Sequence, residues 1–171
     1  MRGVQCLQLW FIDWNDLRPF LHSVSLLHSI RVLVLHFCQK LEPFILELLL
    51  SRCPHPHSLH IPLIRDSLVF LNSLLQQLTA TPHAELRQLV LHTPHPDVYV
   101  RGDLPSEALF TRMLEVHRLL LVELRAPQRC RSSYDNANRA MMGLNYTRWD
   151  QIELRLRHLA EQLPQRFRFT A

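Results

Sequence analysis

Glycine is scarce in this 171-residue chain, occurring only as Gly3, Gly102 and Gly143. Nucleotide-binding turns need backbone that can approach a phosphate without side chains in the way, so this shortage excludes the usual glycine-rich loops. Lysine is scarcer still: Lys40 stands alone among 19 basic residues. Long apolar runs are also missing. The most apolar stretch, Phe44 to Leu50, contains Glu47 and is far shorter than the roughly 18 residues of a membrane span. The N-terminal stretch MRGVQCLQLWFIDW is followed by no small-residue cleavage site, so it does not read as a signal peptide. Cys6, Cys38, Cys53 and Cys130 include no C-x-x-C pair. Together these features predict a cytoplasmic or nuclear protein with reduced thiols and no membrane contact.

What the chain does have is leucine, which dominates an apolar share of 47%. Its length suits one domain that buries about 70% of its unfolded surface. The formal charge is +4, carried almost wholly by arginines scattered from Arg2 to Arg168. Nucleic-acid binding needs basic residues gathered on one face, so dispersed arginines make it only an alternative reading.

Four segments share one spacing of apolar residues: VQCLQL (Val4, Leu7, Leu9), IRVLVL (Ile30, Leu33, Leu35), PHSLHI (Pro56, Leu59, Ile61) and LRQLVL (Leu86, Leu89, Leu91). A fifth lies between Val116 and Leu124, where VHRLLL and LLLVEL both fit. The last apolar position falls at 9, 35, 61 and 91, then at 121 or 124. Alternation of period two predicts a half-buried strand at each site. Between the strands the period becomes helical. Leu41, Phe44, Ile45, Leu48 and Leu49 make one helix face, as do Leu68, Leu71, Leu74, Leu75 and Leu78. Leu109, Phe110, Met113 and Leu114 form another, and Leu17, Phe20, Leu21, Val24 and Leu27 a less regular one. Asp66 and Ser106 are suited to N-caps.

A strand and a helix every 26 to 30 residues, with L-x-x-L-x-L on the strand, resembles the leucine-rich-repeat family over about residues 4 to 125. The resemblance implies an α/β fold: a short solenoid of about five strand-helix units, with a parallel sheet on the concave face, plus a C-terminal helix. A plain α/β domain with a parallel sheet is the rival architecture. The segment LLLSRCPHPHSLHI, Leu48 to Ile61, is similar to the cysteine-containing repeats of F-box proteins, matching at Cys53, Pro54, Leu59 and Ile61. Pro56 departs from that pattern, because proline cannot donate to a ladder except at an edge or a strand start. In that family the repeats hold the substrate and a separate F-box holds the Skp adaptor. The Skp adaptor is therefore implied as a partner only if an F-box lies upstream of Val4.

Residues 1–126 are expected to form the solenoid, with its first hydrophobic face lacking an N-terminal cap. Residues 127–171 divide into an irregular segment, Gln128 to Tyr146, and an amphipathic helix. That helix is expected to begin with the T-x-x-D pattern of Thr147 and Asp150, to carry Ile152, Leu156, Leu159 and Leu163, and to end at Pro164. It would pack as the C-terminal cap.

If the L-x-L leucines point inward, the residues between and just after them face the other way. This predicts a partner-binding face with Gln8, Val34, His60 and Val90 in one column and Trp10, His36, Pro62 and His92 in the next. The alternative is that Trp10 is buried by its neighbours and the terminal segment covers the columns. An exposed tryptophan among valines and histidines suits a protein partner of unspecified identity.

Cys53, His55, His57 and His60 are zinc-ligand types on a proline-extended segment. Cys53 is expected to be buried, however, and the second half of a zinc site is missing. No metal and no cofactor is therefore expected, and the segment reads as a histidine-rich loop. No G-x-S-x-G, H-E-x-x-H or P-loop occurs, so no enzyme is expected. A small hydrolase with a histidine base is a further alternative. It would need Cys38 or Ser58 as nucleophile beside His36, His60 or His92. Arg101-Gly102-Asp103 is read as part of a turn in an insertion from Thr93 to Leu104.

Overall fold

Each predicted strand alternates leucines with other residues, and the leucines select which face turns inward. In a computed structural model, which describes residues 4–10, 19, 22, 27–36, 43–63, 67–81, 83–93, 99–101, 104–125 and 146–170, eight strands and four helices follow. The strands are β1 (Cys6–Trp10), β2 (Val32–His36), β3 (Ser58–Pro62), β4 (Gln88–His92), β5 (Tyr99–Arg101), β6 (Leu121–Arg125), β7 (Tyr146–Arg148) and β8 (Phe167–Thr170). The helices are α1 (Pro43–Arg52), α2 (Ser67–Ala80), α3 (Glu107–Val116) and α4 (Trp149–Gln162). No helix among the described residues is long and apolar enough to cross a membrane. The expected helix at residues 15–27 lies almost wholly outside the described residues, as do Asp66, Gly102, Asp103 and the segment 126–145.

The protein is α/β, with an open, all-parallel sheet in the order β1-β2-β3-β4-β6-β8. The order follows the chain and never reverses. Parallel crossovers are right-handed almost without exception, so an unreversed order sends successive helices to the same side of the sheet. The core agrees with this rule. Leu33, Leu59, Leu89 and Val122 of the strands share one buried cluster with Leu49, Leu71, Phe110 and Leu156 of the four helices. The intervening strand residues stay outside that cluster.

The repeat is visible at single atoms. The carbonyl of Gln5 accepts the amides of both Arg31 and Val32; that of Arg31 accepts His57 and Ser58; that of His57 accepts Arg87 and Gln88. The acceptors are separated by the same 26 residues as the leucine pattern. Pro62 breaks the regularity. β3 pairs with β2 over three residues, against five for β1 with β2 and for β3 with β4. Proline at position 62 has no amide to extend that ladder. Pro56, by contrast, precedes the strand and is buried.

The fifth strand takes one of its two possible registers. Leu124, rather than Leu121, pairs with Leu91, so the apolar positions are Val122 and Leu124. A sixth copy was not expected. Phe167 and Phe169 pair with Val122 and Leu124, making β8 an aromatic version of the same strand. The C-terminal helix does contribute Ile152, Leu156 and Leu159 to the core. It starts two residues later than predicted, because Thr147 belongs to β7, which pairs antiparallel with β5.

Three side chains lock this end. Ser106 caps α3 by accepting from the amide of Leu109 at 3.2 Å, as predicted. Arg166 donates to the carbonyls of Leu120, Leu114 and His117, supplying the donors that the end of α3 lacks. His117, itself buried, donates from Nε2 to the Leu78 carbonyl of α2 at 2.8 Å. If β8 is an integral strand, Phe167→Ala should cost about 3–5 kcal/mol in urea unfolding, the range for an emptied aromatic core position. Arg168→Ala on the same strand should stay within about 0.5 kcal/mol. Equal effects from the two variants would refute the assignment.

Candidate functional site

The face of the sheet away from the helices carries the chemistry. Strand register places Gln8, Val34, His60, Val90, Glu123 and Arg168 in one row across the six strands. The next row holds Trp10 beside His36, then Pro62, His92, Arg125 and Thr170. All eight residues predicted for this face are on it. They are not equally available. Trp10 is 51% exposed, whereas Val34 and Val90 are buried between longer neighbours and offer little to a partner. The terminal strand β8 extends the edge of the sheet rather than covering Trp10. The Trp10 ring stacks on His36 with centroids 3.6 Å apart.

A continuous polar chain crosses four strands of this face, and its direction can be worked out. Glu123 accepts from Arg125 Nε at 2.7 Å, from Thr170 Oγ1 at 2.8 Å and from Gln88 Nε2 at 2.8 Å. A carboxylate can only accept, so the Gln88 amide must turn its nitrogen to Glu123 and its oxygen to Ser58. Ser58 therefore donates to Gln88 Oε1, at 3.0 Å. Its oxygen is left to accept from His60 Nε2, at 2.9 Å. His60 then carries its proton on Nε2, and its bare Nδ1 receives His92 Nε2–H at 3.3 Å. One ionised carboxylate thus fixes the tautomers of two histidines two strands and one strand away.

This direction bears on the hydrolase alternative. Ser58 and His60 are within hydrogen-bond distance, as that reading requires. A general base must accept the proton of its nucleophile, but here His60 Nε2 donates and the Ser58 hydroxyl is committed to Gln88. Ser58 is also buried. Cys38 lies outside the described residues.

The four histidine-loop candidates are dispersed. Cys53 is fully buried, and burial pushes its thiol up to about 11, which keeps it protonated. His55 and His57 turn to Glu85, at 2.9 and 3.7 Å, which Arg31 also contacts at 2.8 Å. His60 stands on the open face. Among the described residues no group of three His, Cys, Asp or Glu side chains could hold a metal ion.

Burial first, then the charges of His92 and Arg125, lowers His60 to about 4. His92 is lowered by burial, with Arg125 and His36 adding to it, and His36 is lowered by burial. The bond from Arg125, aided by Thr170 and Gln88, holds the Glu123 carboxyl down to about 2. Sequence reasoning missed Gln88, Glu123, Arg125, Thr170 and Arg168. The ambiguous register of the fifth strand hid Glu123 and Arg125, and a strand written with phenylalanines hid the last two.

The titrations set the acid response. As pH falls from about 6.5 towards 4, the unfolded chain protonates a histidine that folded His60 keeps neutral, so stability is lost across that window. From about 4.5 to 2 Glu123 adds a loss of the same sign, because its folded form resists protonation. The urea midpoint should therefore drop between pH 7 and pH 4, and drop less in His60→Gln. Identical pH profiles for the two proteins would contradict the assignment. Comparison of the chain with protein-family models, with curated proteins and with solved structures finds no match in any of the three.

Proposed function

We propose that the chain is a short leucine-rich-repeat solenoid and works as a protein-interaction module through the open face of its sheet. The observation that carries this reading is the unreversed parallel order, which among the described residues leaves one face without helices and lines up Trp10, His36, His92 and Arg125 in a single row. Half-exposed tryptophan and arginine are the residue types that concentrate binding energy at protein interfaces. The Cys53-Pro54 junction and its following strand support a role like that of the substrate-holding repeats of F-box proteins, in the cytoplasm or nucleus. The Skp adaptor enters only through an F-box joined to this chain. Phosphate binding is the weaker reading, since Arg125 is already engaged by Glu123 at 2.7 Å.

Trp10→Asp tests the face, with Leu119→Asp as control, because Leu119 is 68% exposed and belongs to the turn before β6. Proteins captured by the wild type should bind Trp10→Asp about thirtyfold more weakly, the equivalent of a lost hot spot of about 2 kcal/mol. Leu119→Asp should capture them unchanged. Undiminished capture by Trp10→Asp would remove the face from consideration.

A further inference from the structure

His60 and His92 lie on the face assigned to partner binding, but the approach of their ring nitrogens is a feature the interaction reading does not need. Their nitrogens Nδ1 and Nε2 face each other at 3.3 Å from adjacent strands. With metal–nitrogen bonds of about 2.0–2.1 Å, two imidazoles on a tetrahedral ion hold their nitrogens about 3.3 Å apart. We propose that His60 Nδ1 and His92 Nε2 form a two-imidazole site for a transition-metal dication of the copper and zinc type, on the open face of the sheet.

The surroundings support ligation over a mere contact between rings. A metal-binding imidazole needs a bare nitrogen towards the ion and, on its other nitrogen, an N–H held by an acceptor. His60 has both, because its Nε2–H is held by Ser58 and that bond is fixed in direction through Gln88 by Glu123. Most histidines are free to choose a tautomer, and here the choice is imposed by a carboxylate two hydrogen bonds away from Ser58. His92 adapts by relocating its proton from Nε2 to Nδ1. The ion takes the place of that proton between the rings, both imidazoles stay neutral, and no net proton is released. Each ring then turns by a few tens of degrees about χ2, a broad torsion in histidine. Charge does not oppose entry, because Arg125 next to the site is matched by Glu123 at 2.7 Å.

Two protein ligands are fewer than the three or four of zinc enzymes and structural zinc sites. The remaining coordination positions therefore open towards the solvent side of the sheet. Hard cations such as magnesium, which take oxygen ligands, are excluded by the donor set.

The test is titration of the full chain with Cu²⁺, Ni²⁺, Zn²⁺ and Mg²⁺, followed by calorimetry and by the nitrogen couplings of bound Cu²⁺ in electron paramagnetic resonance. The expected result is one ion per chain at this site, with Cu²⁺ held more tightly than Ni²⁺ or Zn²⁺ and no response to Mg²⁺. His92→Gln should abolish the two-nitrogen signal, and the double variant His55→Ala, His57→Ala should keep it. Ser58→Ala should weaken Cu²⁺ by about tenfold or more, the usual effect of removing the group that orients a ligand. His92→Gln disturbs a single hydrogen bond, so the test survives a His60→Gln that fails to fold. A two-nitrogen signal that persists in His92→Gln, or that disappears in the His55, His57 variant, would overturn the proposal. The site and the protein-binding face fail separately: Trp10→Asp leaves both imidazoles in place.

Discussion

No strand-helix unit of this chain can bury its own leucines. A five-residue strand and a short helix bring apolar rows together on one side only, and each row is closed by the units next to it. Leu33 and Leu35 are fully buried because β1 and β3 flank them, and Leu89 and Leu91 because β3 and β6 do. Lateral stacking is therefore the constraint from which the rest follows. It requires strands that stay parallel and in register, it gathers the helices on one side, and among the described residues it leaves the other side of the sheet without helices. The doubled amide bonds to Gln5, Arg31 and His57 are the local means of keeping register between units whose connections differ in length.

The uncovered side has solved a problem of its own. Polar groups half-withdrawn from water need partners, and a chain of hydrogen bonds left free to run in either direction would hold a mixture of arrangements. Glu123 removes that freedom. It accepts from three strands' worth of donors and hands a single direction to Gln88, Ser58, His60 and His92. The same carboxylate thus links the acid response of the fold, the unsuitability of Ser58 as a nucleophile, and the lone pair that His60 presents to His92.

Much of this was legible in the sequence. The positions of the first four strands followed from Leu9, Leu35, Ile61 and Leu91, because burial on one face of a strand enforces period two. The columns on the opposite face followed from the same alternation. What stayed hidden had physical causes. Between Val116 and Leu124 the leucines fit two registers equally, and only pairing of Leu124 with Leu91 selects one. In β8 phenylalanine does the work of leucine, so a search keyed to leucine passes over it. β5 and β7 are three-residue strands far apart in sequence, and pairing at that distance leaves no local pattern. The hydrogen-bond chain was invisible for a related reason: Ser58, Gln88 and Glu123 become neighbours only once the register of β6 is known.

Pro62 gives the array a seam. Every other neighbouring pair in the main sheet shares four or five residues of ladder, while β2 and β3 share three. On the solenoid reading proposed above, units touch only their neighbours, and cooperativity is limited by the weakest joint. The shortest ladder of the main sheet therefore lies between the front two strands and the rest, and on that reading local unfolding would begin there. Trp10 and His36 lie on the front section, and His60, His92 and Glu123 lie behind the joint. A ligand that spans both would be felt as a clasp across the seam, fastening two cooperative blocks into one.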